Sequence, residues 1–257
     1  MVGPLRGGAK DEKLGDGALS RSTSFCPLFF RGFQISARQR QRVSSCSGLT
    51  LYLLVGSLWV MTNLSTTADD ILHCARSLII AGGYNGFSYA DIAEVVGIRK
   101  ASIHHHFPTK VDLVRTLVFR YREEATEGIA ALERDVPEPL EQLRAYIGFW
   151  EACIADATAP FCVCALLASQ IPVLPESIVL EVRAHFRALS AWLTSVLERG
   201  ARQGTVLLPG EARAEAEIFV AAVHGAMLSA RAYGDAKIFG AIVHPVLGRL
   251  IPGSGPS

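Results

Sequence analysis

Gly97 sits between two short helical patterns, and few folds accommodate both of them at once. Before it, Ser88 can cap a helix, because its side-chain oxygen can accept one of the first unpaired backbone N–H groups. Ile92, Ala93 and Val96 then recur at helical spacing and give that helix one apolar face. Gly97 supplies the left-handed residue that ends it, and Ile98 packs the corner. After it, a second helix is expected over residues 99–107. Ile103 and Phe107, four apart, face inward, while Arg99, Lys100, Ser102, His104 and His105 project outward. Two helices so closely joined must cross at a sharp angle, and the second is too polar on one side to be core.

That arrangement is a helix-turn-helix, spanning 88–107, with the second helix as the DNA reader. Arg99 and Lys100 can donate to guanine O6 and N7 in the major groove. Ser102 is short enough for a base edge or a phosphate, and His104 and His105 can donate to either. Ser88 and Tyr89, opening the first helix, and Lys110, opening the helix that follows, are positioned for phosphate contacts. Three consecutive histidines invite a metal reading, but neighbours lie 100° apart around a helix and His104, His105 and His106 cannot converge on one ion. No metal and no cofactor are expected.

At these residues the chain resembles the TetR/AcrR family of one-component transcriptional regulators. The match starts near Asp70, with I-L-H-C-A-R-S-L-I-I-A-G-G-Y, and runs through F-S-Y-A-D-I-A to H-H-H-F-P-T-K-V-D-L-V. His104-His105 stand where the family often has a Tyr-Tyr pair. The resemblance implies a dimer that binds operator DNA and is released by a small molecule held in the body. It also implies that His106 packs on the inner side, between the helices.

Charge agrees with a head and a body. Residues 88–122 hold six Lys and Arg against three Asp and Glu, a net +3, whereas residues 123–257 hold ten against sixteen, a net −6. A basic module on an acidic body suits a DNA-binding head on a part that does not touch DNA. The expected division is a head over 65–125 and a ligand-binding and dimerisation body over 126–257. Residues 1–60 differ from both. They are rich in Gly, Ser and Arg, carry a net +5, and end in a 12-residue apolar run, Leu49 to Val60, too short to span a bilayer as a helix. We read this segment as a disordered tail or as preceding the true start at Met61, with membrane association and an ordered element as the alternatives.

From Thr66 onward helical patterns run nearly without interruption and no stretch alternates long enough for a sheet, so the fold class is all-α. Thr66 or Thr67 caps the first helix, whose inward stripe is Ile71, Leu72, Ala75, Leu78 and Ile79. Thr109 and Asp112 form a capping box for the helix that joins head to body. Pro137 and Pro139 open a helix through Ile154, and a short one ends at Ser169. Long helices follow at about 176–202, 211–233 and 235–250. Val182, Phe186, Leu189, Leu193 and Val196 on one of these, with Ile218, Ala221, Ala222, Gly225, Ala226, Leu228 and Ser229 on the next, could form a four-helix dimer interface.

Within the body, the resemblance implies a cavity, for which Phe149, Cys153, Cys164, Gln170, Phe186 and His224 are candidates. The six cysteines, Cys26, Cys46, Cys74, Cys153, Cys162 and Cys164, form no disulfide framework, which suits a reducing cytoplasm. Cys162 and Cys164, two apart on a helix, would point about 200° apart and could not pair without distortion. With Cys153 they are core side chains, a thiol switch or metal ligands. No nucleophile elbow, phosphate loop or suitably spaced pair of carboxylates supports an enzyme. The remaining alternative is an architectural or adaptor protein that binds DNA without an effector.

Overall fold

In the computed structural model, residues 67–156 and 161–253 are described. The tail over 1–60, its apolar run, Thr66, Cys26 and Cys46 lie outside them. Among the described residues there are nine α-helices, one 3-10 turn and no strand. They are α1 (Thr67–Gly82), α2 (Tyr89–Val96), α3 (Lys100–His106), α4 (Lys110–Asp135), α5 (Pro139–Ala155), α6 (Val163–Ala168), α7 (Glu176–Gln203), α8 (Ala212–Tyr233) and α9 (Lys237–Gly248), with the 3-10 turn at Ile171–Val173. All-α is therefore the fold class, and the expected breaks at Gly83, Gly97 and Pro137 fall between helices.

The head forms as the local chemistry dictates. Ile71, Ala75 and Ile79 of α1 meet Ile92 of α2 and Ile103 of α3, all five fully buried. Gly97 takes φ 75° and ends α2, its N–H donating to the Ala93 carbonyl. Gly86 lies so close to the end of α1 that a Cβ there would meet the Gly82 carbonyl oxygen at 2.3 Å. Only glycine allows the chain to fold back from α1 so tightly.

α4 belongs to both parts of the molecule. Its first turns bury Leu113, Val114, Leu117 and Val118, and later Gly128 and Leu132 are covered. The helix packs on α1 near the head and on α7 in the body. Around it, α7 turns Val182, Leu189, Leu193 and Val196 into the core, where Trp192 meets the Tyr146 ring edge-on at 5.5 Å. This corrects the expected dimer face: those four α7 residues are interior, and Phe186 packs on His224 with ring centroids 5.2 Å apart. On α8, Ala226 is also buried, whereas Ile218, Ala221, Gly225 and Leu228 lie exposed in one stripe.

Candidate DNA-reading head and body cavity

Three side-chain clamps hold the helix-turn-helix. Ser88 and Asp91 form a full capping box at the start of α2: the Ser88 hydroxyl accepts from Ala90 N–H at 3.1 Å, and the Asp91 carboxylate accepts from Ser88 N–H at 2.6 Å. The Ser88 N–H and the Ser88 hydroxyl, both donating to it, hold the Asp91 carboxyl below its ordinary value. Thr109 and Asp112 repeat the device at the start of α4. Between them, the Tyr89 hydroxyl donates to the Phe107 carbonyl at 2.9 Å and ties α2 to the end of α3. Burial, with Asp112 and Tyr84 nearby, pushes the Tyr89 hydroxyl up to about 12.

Outward from these clamps, Arg99, Lys100, His104 and His105 stand exposed along the start and outer face of α3, and Ser102 is half-buried among them. His104 is partly held, with Nδ1 3.1 Å from the Pro108 carbonyl oxygen and its ring 4.7 Å from that of Tyr89. Two expected phosphate contacts are altered by the packing. Tyr89 is buried with its hydroxyl engaged, so its side chain sets the angle between helices instead of reaching out. The Lys110 ammonium turns inward, donates to the Phe87 carbonyl and rests 4.0 Å from the centroid of the Phe87 ring and 5.0 Å from that of Tyr84. Burial lowers its basicity. Ser88 stays exposed, though its hydroxyl is committed to the cap. His106 also departs from expectation: it is exposed, edge-on to His105 at 5.5 Å, because Ile103 and Phe107 take the inner positions.

The body holds a cavity of about 630 Å³, counting the part at its mouth open to solvent. α4 contributes Tyr121, Arg122, Ala125, Thr126 and Ile129; α5 contributes Tyr146, Phe149 and Trp150; α7 contributes His185, Ala188 and Leu189. Cys162 and His224 complete the wall. Two of the six expected lining residues, Phe149 and His224, are there. Cys153 and Cys164 are buried in the surrounding core, and Phe186 stands behind His224. Gln170 is elsewhere: its side-chain oxygen accepts the Tyr84 backbone N–H at 2.8 Å, joining the segment after α6 to the turn after α1. Tyr121, Tyr146, Trp150 and His185 were not singled out because inward aromatic residues at helical spacing look the same whether they pack solidly or line a void.

The two neighbouring cysteines also need a correction. Cys162 precedes α6, with φ −68° and ψ 119°, so the pair does not share a helix and the 200° separation does not apply. The Cys162 sulfur accepts from the Tyr121 hydroxyl at 3.4 Å and lies 3.9 Å from His185 Nε2. Burial pushes the Cys162 thiol up, but hydrogen bonds from Cys164, His185 and His224 outweigh it and hold it well below the usual thiol range. Burial drives Cys164 the other way, well above that range, and takes Cys153 up to about 11. Cys74, Cys153, Cys162 and Cys164 are all free thiols. No group of three or more metal-ligating side chains occurs among the described residues.

The head is matched over residues 71–117 by the family model for bacterial regulatory proteins of the tetR family. The described fold, head and body together, is similar to a crystal structure of a TetR family transcriptional regulator from Agrobacterium tumefaciens. That protein is 73% identical, the match covers 72% of this chain and 97% of that one, and the TM-score is 0.70. The chain belongs to the TetR family. A second structure, a TetR transcriptional regulator from Legionella pneumophila, is 29% identical over 72% of this chain and 97% of that one, with a TM-score of 0.63. The HTH-type transcriptional repressor BepR of Brucella suis biovar 1 (strain 1330) is 27% identical over 186 residues, covering 69% of this chain and 86% of that protein. This TetR-family chain is accordingly a DNA-binding transcriptional regulator and not an enzyme, built as a helix-turn-helix head followed by a helical body.

Proposed function

We propose that this regulator is a homodimeric repressor that occupies operator DNA and leaves it when a small molecule enters the body cavity. The observation that carries the reading is α4 itself. Lys110 at its start is clamped into the head, and Tyr121 to Ile129 further along form one wall of the cavity. Between Lys110 and Tyr121 the helix spans about 16 Å, short enough for a stiff lever. A ligand that pushes this wall outward would tilt the head. Half-sites are read about one turn of DNA apart, 34–36 Å, so a small change in the spacing of two heads weakens binding strongly.

Arg99 and Lys100 would donate to base edges, with Ser102, His104 and His105 on bases or phosphates and the backbone at Ser88 and Tyr89 on the phosphate chain. Residues 65–125 would act as the head and 126–257 as the body, with α4 continuous across the boundary. The exposed stripe of Ile218, Ala221, Gly225 and Leu228 would pair with its copy in the second protomer. The repressor assignment draws on the name of BepR. No helix among the described residues is long and apolar enough to cross a membrane, which accords with work in the cytoplasm.

Selection of genomic DNA fragments by the purified protein, followed by sequencing, tests the reading. A two-fold symmetric motif should emerge, with thermal-shift screening of metabolites then finding a stabilising compound that also releases the fragment. Uniform retention of all fragments, with no stabilising compound, would favour the architectural alternative.

A further inference from the structure

Among the described residues the cavity wall holds one thiol, that of Cys162, and its surroundings are not those of an ordinary core thiol. A buried cysteine that only fills space needs no hydrogen-bond donors. Here the Tyr121 hydroxyl donates to the sulfur from α4 at 3.4 Å, and His185 Nε2 faces it from α7 at 3.9 Å. Tyr121 and His185 are themselves packed together, with ring centroids 5.4 Å apart, so both polar groups are held in position beside the sulfur. His224 lines the same wall, and its buried Nε2 has no hydrogen-bond partner. The rest of the lining is largely aromatic and aliphatic, including Phe149 and Trp150.

Donors converging on sulfur stabilise the thiolate, the reactive form, and the aromatic wall selects apolar molecules. We propose that Cys162 is a covalent capture site for α,β-unsaturated carbonyl compounds that enter the body cavity. This rests on the reading of that cavity as a ligand site. The sulfur forms a bond to the β-carbon, and the carbon–carbon double bond opens towards the carbonyl as an enolate. The α-carbon then takes up the proton that left the thiol, carried on His185. No group leaves, and no oxidant is needed.

The adduct would be felt in the head. The Tyr121 hydroxyl loses its sulfur acceptor and its ring must make room, and Arg76 of α1 lies 5.0 Å from the centroid of that ring. Crowding at Cys162 therefore reaches α4 and α1 together.

The test uses the full chain with 4-phenylbut-3-en-2-one as the probe, and 4-phenylbutan-2-one as a saturated control of the same shape. Peptide mapping should locate an adduct on Cys162, labelled at least tenfold faster than Cys74, Cys153 or Cys164, with Cys26 and Cys46 followed as separate peptides. Tyr121→Phe keeps the ring but removes the donor, and should slow labelling severalfold. Cys162→Ser and Cys162→Ala should abolish it, and the map on the unaltered chain decides the matter if neither folds. Labelling of Cys162 no faster than the other thiols, or unchanged by Tyr121→Phe, overturns the proposal. Thermal stabilisation by the saturated ketone reports on the cavity alone. Stabilisation without an adduct would retain the ligand site and remove the covalent chemistry.

Discussion

Gln170 and Tyr84, 86 residues apart in sequence, are joined by a hydrogen bond of 2.8 Å that runs from the backbone of the head to a side chain of the body. A Cβ on neighbouring Gly83 would sit 2.2 Å from Gln170 Nε2, so the turn and the amide fit closely. Together with α4, this gives the two parts a second connection. Gln170→Ala leaves the Tyr84 N–H without its partner, which costs about 1–3 kcal/mol where such a group is shielded and less where water reaches it. We expect a lower melting temperature and a weaker influence of any effector on DNA affinity. An unchanged effector response, measured by fluorescence anisotropy, would assign all of the coupling to α4.

Lys110 and Lys100 should behave differently. The Lys110 ammonium bonds to the Phe87 carbonyl and lies against two aromatic rings, so Lys110→Ala should lower head stability by about 1–2 kcal/mol. Its salt dependence of DNA binding should stay that of the parent. Lys100→Ala, on an exposed side chain, should instead cost roughly 1–3 kcal/mol on the preferred site and relax the choice at one base pair. A salt slope flattened by about one unit in the Lys110 variant would show that its ammonium swings out to phosphate.

The capping box at Ser88 predicts an acid-sensitive head. Hydrogen bonds hold the Asp91 carboxyl below its ordinary 3.8, so its contribution to stability is complete above that value. It is lost as pH falls through the lower, folded-state value. Ser88→Ala removes the two bonds of the hydroxyl, from Ala90 N–H and to the Asp91 carboxylate, but keeps the backbone N–H on that carboxylate, and should destabilise the protein by about 1 kcal/mol at neutral pH. Its difference from the parent should shrink in acid. A constant difference in thermal denaturation from neutral pH to below 3.8 would contradict this coupling.

The α8 stripe predicts how the chain dimerises. Leu228 is 59% exposed and Ile218 43%, while Gly225 has nothing near the position of an added Cβ. Leu228→Glu would bring like charges together across a two-fold axis and should yield monomers in sedimentation at micromolar concentration. Val196→Glu should unfold the body instead, because Val196 is fully buried within one chain. A dimeric Leu228→Glu variant would exclude this face.

Local chemistry alone specified where the helices of the head begin and end. Ser88, Gly97, Thr109 and the apolar spacing of Ile92, Ile103 and Phe107 each act within a few residues, so helix ends, caps and the exposed face of α3 could be read in order. The all-helical body was legible for the same reason, as prolines and glycines mark its breaks. Which apolar side chains faced a void was decided by tertiary packing. Tyr121, Tyr146 and His185 become cavity walls only because α4, α5, α7 and α8 meet around one space. Lys110 and Tyr89 likewise look like polar contacts in sequence, until Phe87 and Phe107 offer carbonyls that hold them inside. Cys162 carries the same lesson: its place just before α6 turns its sulfur towards donors from other helices, a meeting of residues 23 and 41 positions apart that periodicity cannot express.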